Sequence, residues 1–298
     1  MDLIDGLRAF VATAQTGSFT AAAERLGLSN RLTSKYVAEL ETRLGVRLLQ
    51  RTTRRVGVTP AGEEMLLRAP ALLDEFEDLL GSASAGSRGY SGVLRVSAPV
   101  NFGETHVKNL LSRFAALHPD LAIDLRLDDS YVDLATAGID LAFRIGEPAQ
   151  QSLKARKLGT ITSALVASPA YLARCGPVRA PRELEAHDCI VDSNRRNPFL
   201  WPLLRDGIET SVTVKSRFMV NSARVARDMA VSGIGVAFCP RFVLDEDLAS
   251  GRLVELLPEY RSRAAPLNAV YLEGRVLPRK IRTLIDFAVA ELCRAGLD

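Results

Sequence analysis

One face of the segment that follows Ser29 carries polar side chains able to contact nucleic acid. On a helical wheel at about 100° per residue the segment separates into two faces. The polar face holds Asn30, Arg31, Ser34, Lys35 and Ala38, and the apolar face holds Leu32, Thr33, Tyr36, Val37, Leu40 and Leu44. Amide, hydroxyl, guanidinium and ammonium groups can read base edges or hold phosphates. Taken alone, the pattern fits an ordinary helix with a solvated polar face equally well.

Three arginines beyond this segment could contact a DNA backbone. Residues 46–51 and 57–59 predict two short strands around a turn at 52–55, with Arg51, Arg54 and Arg55 at or near its tip. A basic β-wing of this kind can straddle the backbone or enter the minor groove, where arginine is favoured. A wing beside a polar helix favours nucleic-acid binding over the solvated-face interpretation.

Three short helices are predicted to position these side chains, over residues 2–16, 19–26 and 30 to about 44. Leu3, Leu7, Phe10, Val11 and Ala14 recur at helical spacing in the first helix. Ser18 and Ser29 can cap the next two helices, and glycines at 17, 27 and 45 can end all three. Two helices joined by a short glycine-containing turn predict a winged helix-turn-helix domain over residues 1–60.

The charge of the chain is concentrated in this domain. Residues 1–60 hold nine Lys and Arg and five Asp and Glu, which gives a net charge of +4. The whole chain carries +3, so the remaining residues are close to neutral. A basic head on a neutral body predicts that the head binds a polyanion.

A long helix is predicted over residues 61–80, followed by a flexible linker over 81–91. It opens with Pro60 at its first turn, and its apolar stripe consists of Leu66, Leu73, Phe76, Leu79 and Leu80. An exposed stripe needs a partner surface, and a second copy of the chain is the simplest one. Pro70 removes a backbone hydrogen bond and is expected to kink and interrupt this helix.

From Gly92 predicted strands alternate with predicted helices, which favours an α/β fold with a mainly parallel sheet. The predicted strands cover residues 93–97, 121–127, 139–145, 163–167, 210–215, 234–238 and 268–272. The predicted helices cover 102–117, 132–137, 169–175, 222–231 and 278–294, and 198–202 is predicted as a loop. We interpret 92–298 as an effector-binding domain of two lobes, the first formed by about 92–162 and 267–298 and the second by about 163–266.

Polar residues near the carboxyl ends of these strands form a candidate ligand site between the lobes. Ligands of α/β sheets bind in this crevice, where helix N-termini face the gap. The candidates are Ser97, Asn101, Phe102, Asp129, Ser130, Arg144, Trp201, Asn221 and Ser222. Helix N-termini and an arginine favour an anion such as a small carboxylate. Alternatively, Asn101, Asn221 and Ser222 are only helix caps, and Arg144 forms a surface ion pair.

Composition argues against several other classes of protein. No apolar run approaches the ~18 residues of a membrane span, and no signal peptide is evident, so a cytoplasmic protein without a membrane partner is expected. Four cysteines (175, 189, 239 and 293) and three histidines (106, 118 and 187) show no metal-site spacing, so no metal or cofactor is expected. We interpret the cysteines as small hydrophobes rather than as a redox sensor using Cys175 or Cys189.

Two alternatives lack a DNA role. An enzyme built on the α/β body would have Gly233-Ile234-Gly235 as its glycine-rich motif, but this motif does not open a helix, and no nucleophile–base pair is visible. A small-ligand-binding protein is opposed by the basic head. The sequence therefore favours a regulator whose effector domain controls DNA binding.

Several motifs are together typical of one protein family. In the N-terminal part they are Ser18–Leu26, Leu28–Lys35, Leu40-Glu41 followed by Leu44–Leu49, Arg51–Arg54 and Thr59–Gly62, and further on they are Gly138–Gly146 and Val166–Leu172. On these motifs the chain resembles the LysR-type transcriptional regulators over essentially its whole length. The resemblance implies a winged helix-turn-helix joined to a periplasmic-binding-protein-like (type II) effector domain.

The resemblance also implies partners and contacts. It implies binding of an interrupted palindrome in double-stranded DNA, dimers that pair into tetramers, and contact with RNA polymerase during activation. The implied DNA-binding residues are Thr20, Ser29, Asn30, Arg31, Ser34 and Lys35, with Arg51, Arg54 and Arg55 in the wing. The chain departs from the family at Asn30-Arg31, where glutamine followed by a small residue or proline is more usual, so its operator preference is expected to differ.

Overall fold

The computed structural model describes residues 2–51, 56–83, 90–130, 134–147, 153–273 and 277–297. It begins with helices α1 (Leu3–Thr16), α2 (Phe19–Leu26) and α3 (Asn30–Leu44), then strands β1 (Leu49–Arg51) and β2 (Val56–Val58). The hydroxyls of Ser18 and Ser29 cap α2 and α3, and glycines 17, 27 and 45 end the three helices with positive φ. The three predicted helices are confirmed, because serine caps and left-handed glycines act locally.

The apolar faces of these helices enclose a small core. Phe10 and Leu40 are fully buried at its centre, together with Val37 and Leu48. Leu44, predicted on the packed face of α3, is instead 40% exposed, because it is the last residue of the helix. The remaining packed face holds α3 firmly against α1.

Helix α4 spans Pro60–Ala83 and is continuous through Pro70, so the proline does not interrupt it. Loss of one N–H removes a single hydrogen bond from a helix of 24 residues. Ala69 and Leu73 are buried against the N-terminal core. Four leucines on α4 are exposed, namely Leu67, Leu72, Leu79 and Leu80. Residues 84–89 of the predicted linker lie outside the described residues.

The first lobe is built on a five-stranded mixed sheet. Its strands are β3 (Gly92–Ala98), β4 (Leu121–Leu127), β5 (Leu141–Ile145), β6 (Leu153–Ile161) and β15 (Ala265–Leu272), in the order β4-β3-β5-β15-β6. β3 is parallel to β4 and β5, whereas β15 is antiparallel to β5 and β6. The predicted mainly parallel sheet is therefore only partly right, because β15, which returns from the second lobe, runs antiparallel to both of its neighbours.

Two long helices cover this sheet. α5 combines Val100–Phe102, a π-helical stretch Gly103–Val107 and Lys108–Leu117, so it starts two residues earlier than predicted. α6 is short (Leu134–Ala137), and the C-terminal helix α10 spans Arg279–Arg294. Phe114, Phe143 and Leu284 are fully buried in the core between helices and sheet.

The second lobe contains a five-stranded sheet and a smaller one. The larger consists of β7 (Ser163–Ala167), β8 (Cys189–Asp192), β11 (Ser216–Val220), β12 (Val236–Pro240) and β13 (Val254–Leu256), in the order β11-β8-β12-β7-β13. The smaller consists of β9 (Leu200–Arg205), β10 (Ile208–Thr213) and β14 (Arg261–Ser262). The helices of the lobe are α7 (Pro169–Cys175), α8 (Ala223–Val231) and α9 (Asp245–Ala249). Residues 198–202, predicted as a loop, thus include the start of β9.

The chain crosses between the lobes twice, after β6 and before β15. The Ser163 N–H donates to the Ser262 hydroxyl, 2.6 Å away, and ties the two crossings together. The carboxyl ends of β3, β5, β8 and β12 consequently border one cleft. Among the described residues, no helix is long and apolar enough to span a bilayer.

Candidate nucleic-acid interface and effector cleft

Helix α3 presents its predicted polar face to solvent. Asn30, Arg31 and Lys35 are exposed and Ser34 is half-buried. On the opposite face Thr33, Val37 and Leu40 are buried, with Thr33 completely inaccessible. The amphipathic division predicted from the sequence is therefore real, and the polar face is free of contacts with the protein core.

The first residues of α3 are oriented by α2 and by its own cap. The Asn30 amide donates to the Thr20 hydroxyl across the turn at 2.9 Å, so both predicted contact residues lie at one exposed edge. The Ser29 hydroxyl accepts from Leu32 N–H at 3.2 Å and acts as the N-cap. Lys35 lies 3.7 Å from Glu39, an exposed pair that is easily broken. The lysine ammonium thus remains available to a phosphate.

The wing is fixed to α3 by one carboxylate. Oε1 of Glu41 accepts from the N–H groups of Leu48 (2.7 Å) and Leu49 (2.9 Å), just where β1 begins. β1 and β2 form an antiparallel ladder in which Arg51 faces Val56. Arg54 and Arg55 lie outside the described residues, so their contact role stays a prediction.

Asn101 connects the two lobes at the cleft. Its side chain is only 7% exposed, and its Oδ1 accepts from the Ser222 hydroxyl and from Arg224 N–H, each at 3.2 Å. Ser222 is itself the N-cap of α8, so Asn101 of the first lobe completes the N-terminus of a helix in the second. Arg224 also pairs with Glu104 at 2.8 Å. These contacts hold the lobes together in the described state.

Asp129 makes a second connection between the lobes. Oδ1 accepts from Val100 N–H at 3.0 Å, at the N-terminus of α5, and Oδ2 accepts from the Asn194 amide at 3.2 Å. The same Asn194 nitrogen donates to the carbonyl oxygen of Asn221 at 2.7 Å. A carboxylate at a helix N-terminus is stabilised by the local dipole. The helix end that was predicted to bind an anion is thus occupied by one from the chain.

Arg144, Ser97 and Ser130 lie in the first lobe near this connection. Arg144 donates to the buried Ser97 hydroxyl at 3.1 Å and to the Phe143 carbonyl at 2.9 Å. Ser130 donates to Asp128 through both its backbone N–H (2.8 Å) and its hydroxyl (2.7 Å). These two hydrogen bonds lower the pKa of Asp128, the backbone one most.

Two predicted effector residues lie in hydrophobic cores instead. Phe102 is 0% exposed and stacks on His106 with ring centroids 5.0 Å apart. Trp201 is 1% exposed, donates from Nε1 to the Pro198 carbonyl at 3.1 Å and packs beside Phe238. Large aromatic rings on well-packed elements contribute mainly to a core, so the structure assigns both rings a packing role, and their contact with an effector stays a prediction.

The described residues offer little for catalysis or metal binding. Burial raises the pKa of the Cys189 and Cys239 thiols to about 12, so neither is a ready nucleophile. No cluster of three or more potential metal ligands occurs among them. A Cβ at Gly235 would lie 2.4 Å from the Asp188 carbonyl oxygen, so this glycine serves close packing rather than a cofactor loop.

Two family models match the two parts of the chain. The one described as "Bacterial regulatory helix-turn-helix protein, lysR family" matches residues 4–63. The one described as "LysR substrate binding domain" matches residues 87–293. The chain belongs to the LysR family of bacterial transcriptional regulators. It is a DNA-binding regulator with a substrate-binding effector domain, and the enzyme alternative is not favoured.

Named relatives agree with this membership. The HTH-type transcriptional regulator PtxR of Pseudomonas aeruginosa is 35% identical over 283 residues, which cover 95% of this chain and 91% of PtxR. The structure of CrgA, a LysR-type regulator from Neisseria meningitidis, is 31% identical with a TM-score of 0.62, and the match covers 96% of this chain and 98% of CrgA. Full-length AphB, a Vibrio cholerae virulence activator, is 28% identical with a TM-score of 0.61, over 97% of this chain and 99% of AphB.

Sequence reasoning missed several residues of the LysR-family cleft. Asn194 and Arg195 follow β8, a strand that was not predicted, so their place at a strand end was not visible. Glu104 and Arg224 meet across 120 residues of sequence, which no local pattern reveals. The detectable signal was Asp192-Ser193-Asn194, a polar turn directly after the apolar Cys189-Ile190-Val191.

Proposed function

We propose that this LysR-family protein binds an interrupted inverted repeat in duplex DNA through α3 and the wing, and that a small anionic effector in the interlobe cleft modulates this binding. The proposed DNA contacts are Thr20, Ser29, Asn30, Arg31, Ser34, Lys35, Arg51, Arg54 and Arg55. The proposed cleft residues are Ser97, Asn101, Asp129, Ser130, Arg144, Asn221 and Ser222.

One observation carries the effector part of the proposal. Asn101 and Asp129 of the first lobe accept hydrogen bonds from groups of the second lobe in the same cleft. A ligand with acceptor oxygens can replace these internal acceptors at the N-termini of α5 and α8. Binding would then change the contacts between the lobes, which is the two-state behaviour a ligand-controlled switch needs.

An anion is favoured over a cation by the groups that the cleft would present. Once Asp129 moves aside, the N–H of Val100 faces the cleft, and Arg224 N–H does so once Asn101 moves. A small carboxylate supplies oxygen acceptors for these two N–H groups, in place of the oxygens of Asp129 and Asn101. The proposal therefore names a small carboxylate as the effector class.

The assembly belongs to the same proposal. The exposed leucines 72, 79 and 80 of α4 lie within about 100° of one another on a helical wheel and form a surface suited to a second copy of the chain. A dimer, or a tetramer formed by pairing dimers, would present two recognition helices to the two half-sites of an inverted repeat. Action on chromosomal DNA places the protein in the cytoplasm, where RNA polymerase is a candidate partner during activation.

Selection of bound duplexes from a random double-stranded DNA pool tests the proposal. Purified full-length protein is expected to enrich two inverted half-sites separated by a fixed spacing. The selected duplex is then titrated with protein in the presence of small carboxylates, and at least one should change the affinity. Absence of enrichment at low ionic strength would contradict a DNA-binding role and would favour a small-ligand-binding protein.

A further inference from the structure

The DNA-binding domain touches the first lobe of its own chain at Gly138. A Cβ added to this glycine would lie 3.2 Å from Nε2 of Gln15 and 3.4 Å from its Cδ, so the carboxamide of Gln15 rests on the Gly138 backbone. Gln15 lies in the last turn of α1, whereas Gly138 lies between α6 and β5. The contact therefore joins two domains that are connected along the chain only through α4 and the linker.

The backbone around Gly138 is held in place on both sides. Gly138 has a φ of +66°, which glycine adopts without strain, and its N–H donates to the Ala135 carbonyl at 3.3 Å, at the end of α6. The next strand is tied to β3 by Asp140, whose N–H donates to the Arg95 carbonyl (2.9 Å) and whose Oδ2 accepts from Arg95 N–H (2.8 Å). The first lobe thus presents a preformed surface to Gln15.

Arg25 of α2 orients Gln15 on this surface. Its Nη1 donates to Oε1 of Gln15 at 2.9 Å. The oxygen of the carboxamide is therefore fixed from the DNA-binding domain, while its nitrogen lies over Gly138 of the first lobe. One side chain consequently links α1, α2 and the effector domain.

The charged groups that act on Arg25 belong to the first lobe. Partial burial is the main cause that lowers the pKa of Arg25, and the positive charges of Arg95 and Arg126 lower it further. Asp124 and Asp140 have the opposite effect, and Asp124 also pairs with Arg126 at 2.9 Å. Because repulsion by two arginines offsets attraction by two aspartates, electrostatics adds little to the contact, which can open at low cost.

The contact lies beside the wing but leaves the predicted DNA-binding edge open. The Gly17 carbonyl, two residues after Gln15, accepts from Val56 N–H of β2 at 3.1 Å. Arg25 lies five residues after Thr20 on α2, which places it about 140° away around the helix. Gln15 and Arg25 therefore hold the body of the DNA-binding domain on a side different from the one that carries Thr20.

We propose that the surface of the first lobe around Gly138 docks the DNA-binding domain of the same chain through Gln15 and Arg25, and that this docking fixes the orientation of α3 and the wing. A DNA-binding domain attached at both α4 and this surface cannot rotate freely. Two such domains in a dimer lose less orientational freedom when both enter half-sites. The effect on DNA affinity rests on the proposed function, whereas the docking itself does not.

The first test detects docking in the full-length protein without DNA. A diazirine amino acid of about the length of methionine replaces Gln15, and irradiation attaches it to its neighbours. We expect mass spectrometry to find a cross-link to the segment around Gly138, in a product that runs as a single chain on a denaturing gel. The same amino acid at Glu24, an exposed position on the Thr20 side of α2, should give no such cross-link.

The second test separates docking from direct contact with DNA. Gln15→Ala, Arg25→Ala and the control Glu24→Ala are compared for affinity to the selected inverted repeat and to a duplex with one half-site. We expect Gln15→Ala and Arg25→Ala to lose about fivefold or more in affinity for the repeat. Their affinity for the single half-site should stay at the wild-type value, which also shows that both variants fold. Glu24→Ala should keep the wild-type ratio of the two affinities.

Each outcome decides the inference. Cross-links from position 15 that reach only the DNA-binding domain or a second chain would overturn it. An affinity ratio in Gln15→Ala and Arg25→Ala equal to that of Glu24→Ala would do the same. Equal losses for repeat and half-site would also overturn it, because the two residues would then merely support the fold of the DNA-binding domain. A single-chain cross-link to Gly138 in a protein that binds no duplex would support the docking and contradict the proposed function.

Discussion

The carboxamide oxygen of Asn101 accepts a hydrogen bond from the hydroxyl of Ser222, 3.2 Å away in the other lobe and 121 residues later in the sequence. Both were chosen from the sequence as ligand residues, with helix capping as the alternative. In the structure these two side chains hydrogen-bond to each other, and Ser222 is also the N-cap of α8. The two interpretations are compatible, because an effector can compete for the same donors.

Replacing Asn101 with alanine is expected to weaken the contact between the lobes. The substitution removes a buried acceptor from Ser222 and from Arg224 N–H, and an unsatisfied buried group costs about 1–3 kcal/mol. The unfolding midpoint should fall, and hydrogen exchange at the start of α8 should accelerate. Asn109→Ala, on the exposed face of α5, is the matched control. Equal stability of the two variants would show that Asn101 does not hold the lobes.

Glu41 is expected to be essential for the orientation of the wing. Glu41→Ala leaves the N–H groups of Leu48 and Leu49 without their acceptor, and hydrogen bonds to a charged group contribute about 1.5–3 kcal/mol each. Chemical denaturation should report reduced stability, and affinity for a selected duplex should fall. Glu24→Ala, at an exposed position of α2, should change stability little. A wild-type denaturation curve for Glu41→Ala would refute this role.

Gly62 is expected to tolerate no side chain. A Cβ there would lie 2.1 Å from the Leu48 carbonyl oxygen, so backbone must shift between the wing and α4. Gly62→Ala should therefore lower the unfolding midpoint, by an amount that corresponds to about 1–3 kcal/mol for overpacking. At Gly57 the nearest atom, Cγ of Gln50 at 3.2 Å, belongs to a side chain that can move. Equal unfolding midpoints for Gly62→Ala and Gly57→Ala would contradict the prediction, because they would show that the close approach of Gly62 to the Leu48 carbonyl does not affect stability.

The stability of the protein is expected to fall as pH drops below about 6.5, and His106 is one cause. Burial between Phe102 and Phe242 lowers the pKa of His106, partly offset by Asp245. The unfolded chain therefore takes up a proton more readily than the folded one, so stability is full above the unfolded pKa and decreases as pH falls. Unfolding midpoints between pH 7.5 and 5.5 should show this slope.

His106→Gln should reduce the slope without abolishing it, because burial also lowers the pKa of His118. The double variant with His118→Gln should flatten it further. A slope unchanged in His106→Gln would contradict the assignment of this histidine.

Local signals account for what the sequence predicted well. α2 and α3 begin at serine caps and end at glycines, so their bounds agree with the structure within a residue. Strand β9 was missed because it contains Pro202, which usually argues against a strand. The structure tolerates it because β14 pairs only with Leu203 and Leu204, so the missing N–H of Pro202 falls beyond that ladder.

The cleft could be predicted only as a region. The carboxyl ends of strands identified Asn101, Asp129 and Ser222, since parallel strands end at one edge. The pairing of Asp129 with Asn194 spans 65 residues and depends on how the lobes close, which local propensity does not encode. Asn194 and Arg195 were also missed for a local reason, because they follow β8, which is only four residues long and was not predicted.

The central claim is that the exposed face of α3 binds duplex DNA. The test measures binding of the selected duplex by fluorescence anisotropy across a salt titration. The variants are Arg31→Ala and Lys35→Ala, and the control is Lys108→Ala on the exposed surface of α5. Each lost phosphate contact should weaken binding and reduce the slope of log affinity against log salt by roughly one. We expect the two α3 variants to weaken binding relative to Lys108→Ala. Affinities and slopes equal to that of Lys108→Ala would contradict the account.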